Sequence, residues 1–571
     1  MKHIFFLTLT FVIAFHCTSQ TNYYVSNSGS NSNSGTTIAE AWGTIQYSMD
    51  NATPNSFVNI LAGIYYEKVE VNVSGTPENM ITFQNYNDDL VTLDGTGVSW
   101  PDAIVGIFDQ SFIVIKGLFL TNNEQLDAQG IIVEGNCQNI EIRDNTISNI
   151  NFSTNSSDSA TPSTNSQPII VYGSNANHAI SGLIIDGNVV LDSRTGFSEG
   201  LAVNGNVNGF DITNNIVHDI SNIGIDIIGH EGTASSNDQA RNGIVKHNTV
   251  YNCKSPYATA GGIYVDGGKD IVIENNTVYK NQWGIEVGCE NIGKTTSDIQ
   301  VRNNIIYEND DAALAIGGFD FPLGSGKVID CSFSNNSCYD NDTNDSGVGG
   351  VTGELTITYT ENCSLENNIF YATNSSNLVL YVDDVGSVNL SLDYNQFYLN
   401  GSEEFDYEGS SYSGFLNYQM ATNQDSHSLF SDPQFDNTSV PDLHLTAASP
   451  GIDSGNPSFV SSPGETDIDG DLRVFNGIVD CGADEDDSTT GINQSSDANI
   501  SIYPNPTNGF INIVGMSDFD LSIFTQQGKQ IHSKSNSLNL IDLSYFNAGL
   551  YSILLRDKNS VEIFEYKIIK N

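Results

Sequence analysis

Between Asn222 and Glu290 the chain places carboxylates at the spacing of strand faces. The segment contains NIGIDIIGHEG, GIVKHNTVYNC and GGIYVDGGKDIVIENNTVYKNQWGIEVGCE. Superposing the pairs Gly224-Ile225, Gly262-Ile263 and Gly284-Ile285 puts Asp226, Tyr264 and Glu286 in one column, with Asp266 two residues further along its strand. Residues i and i+2 of a strand share a face. Like charges gathered on one face raise at least one carboxyl pKa, which an acid catalyst needs at neutral pH. Asp226, Asp266 and Glu286 are therefore the candidate catalytic carboxylates, and His230, Glu231, Tyr264, Trp283 and Glu290 the candidate substrate-binding residues. The glycines flanking these strands read as places where a ligand approaches the backbone closely.

Such columns require a repeat, and one runs from about Phe112. Its unit is a short alternating strand, a polar residue with Asn, and a second short strand: IEIRDNTIS, LIIDGNVVL, FDITNNIVH, GIVKHNTVY, IVIENNTVY, IQVRNNIIY, CSFSNNSCY, CSLENNIFY and LSLDYNQFY. The aligned asparagines are Asn145, Asn188, Asn215, Asn248, Asn276, Asn304, Asn336, Asn368 and Asn395, mostly 27 to 33 residues apart. A spacing of 43 between Asn145 and Asn188 accommodates a Ser/Thr-rich loop. Strands this short cannot bury an apolar face alone, whereas coils stacked at ~4.8 Å bury it along their whole length. Asn suits the bend because it tolerates left-handed backbone and its amide can bond to the coils above and below. From this ladder Asp226 lies 11 residues on and Glu286 lies 10. A slip of one residue would turn the carboxylates inward.

Ahead of the repeat, Asn22 to Tyr86 holds an opening strand, a Gly/Ser/Asn loop, an amphipathic helix from about Ala41 to Asn51, and strands near Val58–Leu61 and Ile81–Gln84. This succession resembles the amino-terminal cap of secreted right-handed parallel β-helix proteins of the pectate-lyase-like, polysaccharide-degrading type. A helix laid over the first coil blocks an open sheet edge and an exposed core. The resemblance covers about Asn22 to Phe430 and implies an all-β fold. After it, residues 431–485 resemble the closing segment of bacterial β-helix proteins, through SPGIDSG at Ser449, DIDG at Asp467 and VDCGA at Val479. In TDIDGDLR, Asp467, Asp469 and Asp471 alternate around a Gly turn, a donor set suited to a hard cation such as calcium.

At the start, MKHIFFLTLTFVIAFHCTSQ pairs a Lys with an apolar run and reads as a secretory signal peptide over residues 1–20. No stretch approaches the ~20 apolar residues of a membrane span. Residues 486–498 form a polar linker. From 499 to 571 alternating strands predict a small antiparallel β-sandwich. Tyr503-Pro504-Asn505-Pro506, Asn508-Gly509, Asn547-Ala548-Gly549-Leu550-Tyr551 and a terminal Lys resemble the carboxy-terminal sorting domain of the type IX secretion system of Bacteroidetes. That resemblance implies partnership with the secretion machinery and a secreted or cell-surface location. Lys and Arg number 20 against 69 Asp and Glu, a net charge of −49, which excludes nucleic acid as a partner. Eight cysteines, seven after signal removal, show no metal-type spacing. The odd count argues against a disulfide framework, although Cys253 with Cys289, or Cys331 with Cys338, could pair in an oxidising compartment. A monomer is expected.

Three function classes follow. A glycoside hydrolase needs two carboxyls, one to protonate the leaving oxygen and one as nucleophile or base, and no cofactor. A polysaccharide lyase needs a Lys, Arg or Tyr base and usually calcium to neutralise a uronate. Lys246, Lys254, Arg194, Arg241 and Tyr264 are the possible bases. A non-catalytic adhesin needs only glycan-binding aromatic residues, and on that reading the acids are merely solvated. The carboxylate column, with Tyr264 and Trp283 to stack on sugar faces, favours hydrolysis of a polysaccharide or oligosaccharide.

Overall fold

A computed structural model describes residues 20–486 and 501–570, apart from positions 100, 319, 344–351, 374–377, 385, 401–403, 476, 504–506, 508, 515–518, 526–529, 535–539, 548 and 558–562. Residues 1–19, where a signal peptide is expected, the expected linker from 487 to 498, and Pro504, Asn505, Pro506, Asn508 and Ala548 of the sorting motif lie outside the described residues. The chain divides into two units, Met1–Asp487 and Ser488–Asn571.

In the first unit each coil gives one short strand to each of three parallel sheets, forming a right-handed β-helix. One coil shows the rule: Lys269–Glu274 joins the first sheet, Thr277–Tyr279 the second and Trp283–Gly288 the third. Alternation sends Ile271, Ile273, Val278, Ile285 and Val287 into a continuous apolar core and their neighbours outward.

The nine repeat asparagines are all buried and form one ladder. From Asn188 on, each Asn Oδ1 accepts from the backbone N–H and the side-chain Nδ2 of the asparagine one coil earlier, while its own Nδ2 also donates to a strand carbonyl on that earlier coil. Around Asn276 these bonds are 2.9 Å from Asn248 N, 3.0 Å from Asn248 Nδ2 and 3.0 Å to Val245 O. The left-handed residue, however, is the one before each ladder position: Asp144, Gly187, Asn214, His247, Asn275, Asn303, Asn335, Asn367 and Tyr394. Left-handed tolerance therefore belongs to the preceding residue, and the ladder Asn serves through its amide. A shorter ladder at another corner runs Asn281, Asn309, Asn341 and ends on the buried Glu354 carboxylate. Outside the second sheet, His218, Tyr251, Tyr279 and Tyr307 stack with centroids 4.6 to 4.9 Å apart, matching the coil rise.

Both ends of the core are covered. At the first, helix Ile45–Asn51 is N-capped by Thr44, and the Glu67 carboxylate accepts from the free Ile45 and Gln46 N–H groups while Ile45 and Met49 go under. At the last, helix Phe415–Thr422 buries Phe415 and Tyr418 against Phe397 and Phe405. The sequence showed only aromatic residues there.

The closing segment docks back along the coils, on the turn between the first two sheets. Its partners are the left-handed asparagines: Asn275 donates to Asp467 O, Asn303 bonds Glu465 and Arg473, Asn335 donates to Asp480 O, and Asn367 accepts from Asn456 N. The segment is knotted by Arg473, which is 1% exposed and bonds Glu485 and the carbonyls of Asp480, Gly482 and Asp484.

All seven cysteines among the described residues are buried free thiols, and neither of the two pairs considered for disulfides forms. Cys331 precedes a first-sheet strand while Cys338 lies on a second-sheet strand, Cys253 follows a second-sheet strand while Cys289 follows a third-sheet one, and Cys331 instead neighbours the Cys363 thiol of the next coil. In the second unit, a three-stranded and a four-stranded antiparallel sheet share one core that includes Ile511, Ile541, Leu521 and Ile553.

Removing one rung tests the ladder. Asn276→Ala would leave the Asn248 N–H and the Val245 carbonyl short of a partner, each costing about 1–3 kcal/mol, while the Asn304 amide oxygen would keep only the backbone N–H of residue 276. We expect a urea midpoint lower by the equivalent of about 3 kcal/mol or more, whereas replacing the exposed Asn242 should shift it little.

Candidate functional site

The third sheet sets the register of the candidate residues. Asp226 pairs with Tyr264, Tyr264 with Glu286 and Asp266 with Gly288, so the superposed Gly-Ile pairs align coil by coil. The column continues through Ala315, Thr356 and Tyr381. Ile225, Ile227, Ile263, Val265, Ile285 and Val287 lie in the core, which turns Asp226, Tyr264, Asp266 and Glu286 to the outer face.

From Tyr264 to Tyr381 this column floors a cleft of about 580 Å³ that crosses five coils, roughly 19 Å at the coil rise. Trp283, Glu286 and Glu290 line it near the Tyr264 end, and Asp383 near the other. Gly288 makes room for the tyrosine: a Cβ there would stand 3.0 Å from the Tyr264 hydroxyl. Gly224, Gly262 and Gly284 have another role. A Cβ at Gly224 would fall 2.6 Å from Gly262 O and Val250, and one at Gly284 2.4 Å from Ala313 O. They permit coil-to-coil packing at an inner corner, not the approach of a ligand.

The acids are outward yet covered. Asp226 is 3% and Asp266 4% exposed, and neither lines the cleft. Of the three candidate catalytic carboxylates only Glu286 does. Asp266 accepts the Glu290 N–H at 2.7 Å and so fixes the backbone of a cleft residue. Oδ1 of Asp226 and Nε1 of Trp283 are buried without a hydrogen-bond partner. Glu231 accepts from Asn291 at 2.8 Å, tying residues 229–240 to the stretch after Glu290. His230 takes part in that same tie, its Nε2 meeting Thr295 O at 3.2 Å.

Burial, followed by mutual repulsion, governs the charges. Loss of solvation, then Glu290, pushes Glu286 up to about 8. Burial first and neighbouring carboxylates next hold Asp226 and Asp266 well above the usual range, and burial with Glu231 raises Glu290. Burial likewise lifts the Tyr264 hydroxyl well above its ordinary value. Glu199, which sequence reasoning missed, joins them at about 8, raised by burial and then by Glu290 and Glu231. Its signal was Gly200-Leu201, since Leu201 pairs with Ile225 and extends the superposition one coil upstream.

Asp467, Asp469 and Asp471 do not converge as a cation cage. The Asp467 side chain is buried, and its oxygens accept from the backbone N–H groups of Asp469, Asp471 and Glu485. Its role is to shape the turn.

Residues 169–350 match the family described as right handed beta helix region, and residues 501–571 the secretion system C-terminal sorting domain. Over 445 residues the chain is 35% identical to the uncharacterized protein YwoF of Bacillus subtilis (strain 168), covering 75% of this chain and 91% of that protein. The chain belongs to the YwoF family of β-helix proteins. Similar solved structures include pectate lyase Pel9A (TM-score 0.44, 14% identity, 82% of this chain and 97% of that one) and XylC in complex with xylose (0.45, 10%, 92% and 95%). A third is the GH136 lacto-N-biosidase from Eubacterium ramulus (0.43, 13%, 67% and 64%). The sorting domain assigns this family member to type IX secretion, toward the cell surface or extracellular space. Among the described residues no helix is long and apolar enough to cross a membrane.

The raised carboxyls make stability depend on pH. Glu286 and Glu199 ionise near 4.5 when unfolded and near 8 when folded, so the folded state holds more protons between those values. Their contribution is complete below about pH 4.5 and is lost as pH rises through about 8. The melting temperature should fall across that window, and fall less in Glu286→Gln, which should melt above the parent at alkaline pH. Identical pH slopes in parent and variant would contradict a protonated Glu286.

Proposed function

We propose that the cleft hydrolyses glycosidic bonds of an uncharged polysaccharide or oligosaccharide. The observation that carries this reading is the pair Glu286 and Glu290, two carboxyls that line one cleft, the second of which raises the first. In such a pair one group keeps its proton while the other ionises. Glu286 is the more buried and Glu290 the more exposed. Glu286 therefore donates the proton to the leaving oxygen, and Glu290 acts as base or nucleophile at the anomeric carbon. Asp266, bonded to the Glu290 N–H, is a positioning residue. Tyr264 and Trp283 offer aromatic surface beside the pair. A floor running along the coil axis suits an extended sugar chain. Hydrolysis by this pair requires no cofactor.

Elimination from a uronate fits less well. Among the described residues no Lys, Arg or His lines the cleft. Lys246 pairs with Glu274 at 2.8 Å and Lys254 with Asp310 at 2.7 Å. Arg241 bonds Gln239 O and Asn206, and Arg194 bonds the carbonyls of Asn155 and Asp158. Tyr264, with its proton held more tightly than usual, is a poor base. A uronate would also carry its charge toward Glu286, Glu290 and Asp383.

The test is a screen of the protein on neutral and uronate-containing glycans, reading new reducing ends and absorbance of unsaturated uronate. Reducing ends without absorbance, on a neutral glycan, are expected. Glu286→Gln should lower kcat by about 10²–10⁴-fold. Absorbance on a uronate polymer, or unchanged turnover in both Glu286→Gln and Glu290→Gln, would overturn this reading.

A further inference from the structure

Away from the cleft, three segments of the closing region bring unlike ligand atoms together. His444 lies on strand Asp442–Leu445, Asp469 on the turn shaped by Asp467, and Asp484 just before Glu485. One imidazole nitrogen and one oxygen from each carboxylate lie within 4.8 Å of one another, the one such group of three among the described residues. The acids at and around the cleft form no such group among the described residues.

The imidazole is oriented as a metal ligand is. Its Nδ1 bonds the Asp442 carboxylate, which fixes the ring and leaves Nε2 as the nitrogen that faces the other two ligands. That Nε2 is buried and stands 3.1 Å from Asp469 Oδ2, so a divalent ion would replace the proton of this ion pair. A carboxylate, a histidine and a converging oxygen set is the arrangement in which an outer carboxylate fixes the tautomer and the inner nitrogen takes the ion. Asp484 is 7% exposed, and its Oδ2 is fixed by the Leu445 N–H at 2.7 Å.

We propose that His444, Asp469 and Asp484 bind one divalent transition-metal ion, zinc or manganese in class. One nitrogen and two carboxylate oxygens suit such ions better than calcium, which prefers an all-oxygen shell of six to eight ligands. Water completes the coordination on the exposed Asp469 side. The site is structural: it ties the strand, the turn and the end of the closing segment, and it touches none of the cleft residues named above.

The full chain, stripped with a chelator, is titrated separately with zinc, manganese and calcium chloride by calorimetry and melted with and without each ion. We expect zinc to bind with one-to-one stoichiometry and raise the melting temperature by several degrees. His444→Ala should abolish that binding, and Asp442→Asn, which changes only the outer partner, should weaken it about 10–100-fold. Asp469→Asn, at an exposed position, should lose affinity while melting like the parent in chelator. Absence of zinc and manganese binding, binding unaltered in His444→Ala, or tighter binding of calcium than of either would each overturn the proposal.

Discussion

The structure depends on keeping parallel coils in strict register, and the buried asparagine ladder is what enforces it. A parallel strand pair alone resists sliding weakly where one residue resembles the next. Here each ladder amide joins two coils through backbone and side chain at once, so a slip would strand several buried polar groups. With register locked, residues 22 to 41 apart in sequence become columns. One column stacks His218 on three tyrosines, and another lays Tyr264, Glu286, Ala315, Thr356 and Tyr381 along a cleft floor.

Rigidity of that kind makes the acid cluster tolerable. Carboxyls without a nearby cation, closed off from water, oppose folding at neutral pH, and a loosely packed sheet would relax by opening. The third sheet cannot open there without breaking rungs on either side. Glu286 and its neighbours are thus held in a poorly solvated place, where the acidic form persists to a pH at which an exposed glutamate would be ionised. Stability invested in the ladder supports strain at the cleft.

Much of this was legible in the chain. The spacing of nine asparagines disclosed the coils, and the Gly-Ile pairs fixed the column of Asp226, Tyr264 and Glu286 without any structure. Glu199 escaped because its coil carries Gly-Leu where the others carry Gly-Ile. Burial of Asp226 and Asp266 could not be seen, since it depends on what overlies them and not on their own strands. The doubled asparagines at Asn275, Asn303, Asn335 and Asn367 were in plain view, yet only the fold shows that the second of each pair faces the ladder while the first receives the closing segment. Those contacts join residues 89 to 192 apart, a range at which local pattern carries no information. Three acids in TDIDGDLR suggested a shared ion; two of them bond or border the turn, and only Asp469 reaches His444.

The retrograde path of the closing segment changes how the solenoid comes apart. A stack of coils in which each touches only its neighbours can unzip from either end, one unit at a time. A strap attached at four successive levels removes that freedom over its span, because opening any one level loosens the strap at the other three. It also sets an order of events: the strap has nothing to grip until the coils bearing Asn275 to Asn367 exist, so it fastens last. A single protease cut in the strap would return this part of the molecule to piecewise fraying without touching a coil.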